Sequence, residues 1–295
     1  MFSFGDSLTD TGNICVNMSA AGESYRAHHG AASLQHHLLR PPHLPLLRRR
    51  LVFDFLAEGL GLPLLPPSKV IGGDFRRGAN MAIVGGTALD FDFFESIGVG
   101  FPFWNYGSMN VQLRWFRDLL PSICATAAPQ GCRAYLAESP FLFGSLGGND
   151  YNAMVLFGFT VDQARNYTPK IVDQIASGVE TSLAAVQARH CRSPSSPSPV
   201  AAVRIVYADY YAVVAEMVQA PARLGLRSGI AACCGAGRGE YNWEYEARCG
   251  MRGAAACADP SSAVCWDGGH TTEAANRVIA GGWLRGPYCH PPILH

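Results

Sequence analysis

Lysine is almost missing from this sequence: only Lys69 and Lys170 occur, the other basic residues are arginines, and 23 basic residues balance 23 acidic ones. A net charge of zero provides no basic field for nucleic acid and no acidic field that gathers cations, so no nucleic-acid partner is expected. No apolar run approaches the ~18 residues needed to cross a bilayer, so no transmembrane segment is expected. A positively charged leader ahead of an apolar stretch is also missing, because Met1 runs directly into a Gly-Asp-Ser turn. There is no Cys-x-x-Cys pair of the kind zinc sites use.

What is present is apolar substance and cysteine. With 295 residues, 48% of them hydrophobic and only 16% charged, the chain can bury a large core, and a single domain over 1–295 is the expectation. Ten cysteines form an even set, and Cys233, Cys234, Cys249, Cys257 and Cys265 fall in one Gly-rich segment; disulfides are the better reading. The tripeptides Asn17-Met18-Ser19 and Asn166-Tyr167-Thr168 are glycosylation sequons. Together these predict an extracellular protein whose leader lies outside this sequence.

Short apolar runs alternate with helical patterns. Phe2 to Phe4, Phe141 to Phe143 and Val203 to Tyr207 read as buried strands ending in Gly or Asp. Ile171, Ile175, Val179, Leu183 and Val186 recur at helical spacing, and further helices are predicted from Asn110 to Leu120 and from Thr272 to about Ala280, with Glu273 in the first turn. That alternation predicts an α/β fold with a parallel sheet and helices on both faces. Two stretches fit neither period: residues 26–50, which carry five of the nine histidines, and the Ser/Pro-rich residues 190–200.

Ser7 stands at a strand-to-turn edge in "FGDSLTDTGN", where an open α/β fold presents a hydroxyl above the carboxyl end of its sheet. A serine is a weak nucleophile and needs a base, a group to orient that base, and donors for an oxyanion. "CWDGGHTTEAANR" places Asp267 and His270 three residues apart just before a helix, a spacing that lets the carboxylate hold one imidazole nitrogen. "FLFGSLGGNDYN" ends a strand with Asn149 on a flexible backbone, and "FRRGANMAIVGGTAL" offers the bare N–H of Gly78. Singly, each of these is a common turn or helix start. As an ordered set they are specific.

The set resembles the plant GDSL esterase/lipases of the SGNH hydrolase superfamily, through "FGDSLTDTGN", "DFLAEGLGLPLLPP", "GANMAIVGGTAL", "FGSLGGNDYN", "VRIVYADYY", "ACCGAGRGEYN" and "WDGGHTTEAANR". The resemblance implies a three-layer α/β/α sandwich around a five-stranded parallel sheet and hydrolysis of small or medium acyl esters or lipids by a monomer. It implies no metal and no organic cofactor. It places Ser7, Asp267 and His270 in the catalytic roles, and the Ser7 N–H, the Gly78 N–H and the Asn149 amide in the oxyanion hole.

The sequence departs from that pattern twice. Between Gly30 and Arg49 the family has a segment close to "FFGRPTGRxSDGR"; reading permitted codons one base later can give "APPPYSTTFFGRPTCRCSDG", so a shifted frame is expected there. After "KIVDQIASGVETSLAAVQ" a strand and loop are missing, which predicts a sheet without one interior strand, between those of Phe141 and Val203. Cys265 is left with two readings, a bridge to Cys257 or another nearby cysteine, or a buried thiol.

Overall fold

Phe2, Ser3 and Phe4 are fully buried, as a strand is when it is covered on both faces. In the computed structural model, which describes residues 1–16, 50–100, 107–124, 129–187, 204–237, 239–244 and 247–294, this strand, β1 (Phe2–Phe4), is the centre of a parallel sheet. The elements that follow are α1 (Val52–Gly59), β2 (Ala79–Asn80), α2 (Phe91–Ser96), α3 (Met109–Ile123), α4 (Pro129–Ala137), β3 (Phe141–Phe143), α5 (Gly148–Leu156), α6 (Val161–Arg165) and α7 (Thr168–Gln187). Next come β4 (Tyr207–Ala208), α8 (Tyr210–Gln219), β5 (Cys234–Gly235), β6 (Ala255–Ala256), α9 (Glu273–Arg285) and β7 (Cys289–His290). The chain, expected as one domain over 1–295, groups into two compact units, Met1–Ile14 with Leu65–Arg204, and Cys15–Leu64 with Ile205–His295. The atypical residues 26–49 and 190–200 and the sequon at Asn17 lie outside the described residues.

In the first unit the sheet has the order β2-β1-β3, with Phe2 opposite Ala79 and Phe141, and Phe4 opposite Phe143. Phe4 stacks on Phe143 with centroids 4.7 Å apart, and Phe116 meets Phe2 and Phe4 edge-on. Phe116 comes from α3, whose buried face of Met109, Gln112, Leu113 and Phe116 has the spacing of an amphipathic helix. Ser108 starts that helix by accepting a hydrogen bond from the Val111 N–H. Helix α7 packs on α3 where Gly178 meets Met109; a Cβ at Gly178 would lie 2.8 Å from Met109 Cγ. Phe94 of α2 is buried with Leu89 and Met154, so this helix serves core packing at that position.

In the second unit α9 lies against α1. The Arg50 N–H donates to Glu273, and the Asn276 amide donates to the Arg50 carbonyl at 3.0 Å. Thr272 caps α9 by accepting from the Ala275 N–H. Val203 lies outside the described residues, and residues 204–207 do not form the buried parallel strand expected of them. Tyr207 and Ala208 pair antiparallel with His290 and Cys289, and Ile205 and Tyr207 are 71% and 70% exposed. Their apolar composition mimics a central strand, but a short two-stranded ribbon leaves one face to solvent. Among the described residues the parallel sheet has three strands, against the five implied by resemblance.

Candidate active site

Ser7 is half-buried and follows the carboxyl end of β1. Its turn is held by Asp6, whose carboxylate accepts from the Leu8 N–H at 2.9 Å and the Ser145 hydroxyl at 2.7 Å, and whose carbonyl accepts from the Thr9 N–H. Gly5 has no room for a side chain, since a Cβ would lie 2.6 Å from the Gly144 carbonyl oxygen. Beyond the serine, the Asp10 carboxylate gathers the N–H groups of Gly12, Asn13, Ile14 and Val84 at 2.6–3.2 Å. Burial pushes Asp10 up to about 6 even though those four donors favour its ionised form.

The segment after β2 supplies the next groups. Gly85 is buried with φ +74°, and Gly86 accepts a 3.0 Å hydrogen bond from the Asn149 side-chain amide. Asn149 is the second residue of α5, which begins after Gly147 at φ +101°. The next residue, Asp150, accepts from the Ala88 and Leu89 N–H groups at 2.8 and 2.9 Å, and its burial raises it to about 7. Asn149 and Asp150 together clamp the Gly86–Leu89 backbone to the start of α5.

Gly78 is placed differently from its expected role. It precedes β2 beside Met1, at the amino end of the sheet, whereas Ser7 follows the carboxyl end. Its N–H donates to the Phe75 carbonyl at 3.1 Å, so it is already engaged in a turn. Gly85, buried at a positive φ, is a second candidate donor. The signal for it was legible, because the apolar run Met81–Val84 ends in a glycine pair where a strand's carboxyl end falls, while Gly78 stands ahead of that run.

In the second unit Asp267 and His270 meet as their spacing predicts. His270 Nδ1 lies 2.9 Å from both carboxylate oxygens of Asp267, and Asp267 Oδ1 also accepts from the Gly269 and His270 backbone N–H groups. The Asp267 side chain is 5% exposed and that of His270 16%, so the carboxylate is shielded while the ring retains an open edge. An ionised carboxylate facing Nδ1 requires the proton on that nitrogen, and in the neutral ring this leaves Nε2 as an acceptor.

The turn is anchored by the cysteine cluster. Cys233–Cys257 and Cys234–Cys249 are disulfides, and the Cys233 and Cys234 N–H groups donate to the Cys265 and Trp266 carbonyls at 3.0 and 2.6 Å. A third bridge joins Cys124 to Cys132. Cys257 is therefore taken, and Cys265 is a thiol whose sulfur accepts from the Gly268 N–H and whose burial raises its pKa. Among the described residues no helix is long and apolar enough to cross a membrane.

A strand-turn serine, an Asn at a helix start and an Asp-x-x-His turn in this order define an ester-hydrolase family. The chain belongs to the GDSL-like lipase/acylhydrolases, whose family model matches residues 1–283, and it is a hydrolase acting on esters. Its relatives include two proteins of Arabidopsis thaliana, GDSL esterase/lipase At1g28580, 33% identical over 99% of this chain and 86% of the relative, and GDSL esterase/lipase At5g45910, 32% identical over 99% and 91%. Those alignments run over 345 and 349 positions, more than the 295 residues here, so both open gaps in this chain.

Proposed function

We propose that the chain is a serine carboxylester hydrolase that works through an acyl-serine intermediate. Ser7 Oγ attacks the ester carbonyl carbon as His270 Nε2 takes its proton, and Asp267 holds the imidazole in the tautomer that can accept it. The oxyanion is held by the Asn149 amide and the backbone N–H groups of Ser7 and Gly85, with Gly85 in the role first expected of Gly78. Collapse breaks the bond to the alkoxy oxygen, which leaves as an alcohol with the proton from His270. Water, deprotonated by the same histidine, then releases the acid and restores Ser7.

The observation that carries this reading is the Asp267–His270 pair at 2.9 Å on a turn tied down by two disulfides. Family membership favours small or medium acyl esters or lipids as substrates, the chain is taken to act as a monomer, and the disulfides favour an extracellular home. A second reading, a relative that keeps the fold and has lost turnover, is favoured by the gaps opened in this chain.

Hydrolysis of a short-chain chromogenic acetate by protein made through an oxidising secretory route, beside Ser7→Ala, decides between them. Turnover that depends on Ser7 is expected. Equal background rates from two folded proteins would establish the second reading.

A further inference from the structure

Gln112 is a fully buried amide on the apolar face of α3, among Met109, Leu113 and Phe116. A buried amide is tolerated when its donors and acceptor are matched, and here each is matched by backbone. Gln112 Oε1 accepts from the Gly5 N–H at 2.9 Å, while Nε2 donates to the Gly5 carbonyl at 2.8 Å and to the Gly107 carbonyl at 2.7 Å. The amide thus pairs with Gly5 as a neighbouring strand would, one residue beyond the end of β1 and two before Ser7. The same nitrogen also abuts the oxyanion loop. A Cβ on Gly86 would lie 3.0 Å from Gln112 Nε2 and 2.6 Å from the Gly5 carbonyl oxygen, and Gly86 is the residue whose carbonyl holds Asn149.

We propose that Gln112 is the positioning residue that sets the nucleophile turn and the oxyanion loop in register, so that Ser7, Gly85 and Asn149 share one reference point. This rests on the reading of Ser7 as nucleophile. The amide touches neither substrate nor reacting atoms. It acts by fixing Gly5 against Gly86, and a side chain of the same size without its two donors leaves the helix in place while freeing that junction.

Gln112→Glu tests this, because it preserves shape but puts an oxygen where the amide nitrogen faced the Gly5 and Gly107 carbonyls. Neutral, the new carboxyl can donate to one of them; ionised, it repels both, and burial raises its pKa into the assay range. At about pH 9 the kcat should lie about 10²-fold below wild type with KM changed less than about threefold, since misplacement by about 1 Å is that costly. The ratio of variant to wild-type kcat should climb at least about tenfold toward about pH 6. A flat ratio near one in folded protein overturns the proposal.

Gln112→Met is close in volume and never ionises, so it should lose kcat evenly across pH; wild-type kcat in this variant overturns the proposal even where Gln112→Glu does not fold. Leu113→Ala, in the same core, should lower Tm and keep kcat within about twofold, and an equal kcat loss there would make Gln112 merely structural. Ser7→Ala run alongside separates the two claims. Full turnover without Ser7 removes the nucleophile assignment, whereas an inactive Ser7→Ala beside unaffected Gln112 variants removes only the positioning role.

Discussion

Asp267 holds His270 twice, through the ring Nδ1 at 2.9 Å and through the backbone N–H of the same histidine at 2.9 Å. One carboxylate therefore sets both the course of the turn and the protonation pattern of the ring. Asp267→Asn keeps the size of the group but can face Nδ1 with an NH2, which moves the ring proton to Nε2. The expected loss is about 10³- to 10⁴-fold in kcat with little change in KM. Steady-state kinetics on the acetate ester checks this, and a variant within tenfold of wild type would take the tautomer argument away.

Gly78 and Asn149 should separate stability from turnover. An alanine Cβ at Gly78 would collide with the Met1 backbone and approach Leu65 Cδ2 at 2.8 Å, from a φ of +130° that disfavours any side chain. Gly78→Ala should lower Tm markedly and leave the kcat of the folded fraction intact. Asn149→Ala should do the reverse, with roughly 10²- to 10³-fold lost in kcat and a modest change in Tm. Thermal melts paired with kinetics on both variants decide it; a kcat defect confined to Gly78→Ala would restore that glycine to the oxyanion hole.

Two buried carboxyls predict how stability changes with pH. Asp10 and Asp150 are raised from 3.8 to about 6 and about 7, so between those limits the folded state binds protons that the unfolded state has released. Stability from these groups is fully present below about pH 4 and is lost as pH rises through about 6 and then about 7. Melts of wild type should show Tm falling across that window. Asp150→Asn, although destabilised at all pH values because its NH2 must face the Ala88 or Leu89 N–H, should flatten the slope. An unchanged slope would mean that Asp150 is ionised throughout.

The bridges should matter unequally. Cys233–Cys257 spans 24 residues and its N-terminal half hydrogen-bonds the backbone just ahead of Asp267, whereas Cys124–Cys132 spans 8 and joins the end of α3 to α4. Replacing both members of the first pair by serine should cost about 2–5 kcal/mol and lower turnover with it. Replacing the second pair should cost less and leave kcat unchanged. Chemical denaturation and kinetics of the two double variants check the ranking.

The elements legible in the sequence were those whose pattern is local. Phe2 to Phe4 and Phe141 to Phe143 are short apolar runs that became β1 and β3, and the spaced apolar residues of 109–123, 168–187 and 273–285 became α3, α7 and α9. Asp267 and His270 were legible because they stand three positions apart, so one turn brings them together. Pairing between distant segments was not legible. Val203 to Tyr207 reads as a central strand by composition, yet Tyr207 finds its partner at His290, and no pattern in either segment encodes that choice. Gln112 was hidden for a related reason, because a polar residue in an apolar stripe reads as an interruption until Gly5 and Gly107 are seen around it. Which cysteine joins which also depends on packing, and the Cys257 partner is Cys233.

On the proposed assignment, the Asp267–His270 turn follows Ser7 by 260 positions in the sequence, from 7 to 267. Ribosomes add roughly 5–20 residues per second, so the nucleophile emerges some tens of seconds before its base is made. Until His270 is made, the nascent chain thus carries a serine without the group that would activate it, and it cannot attack esters by this route. A premature stop anywhere ahead of His270 yields a product without its proposed base, whatever part of the sheet has already formed.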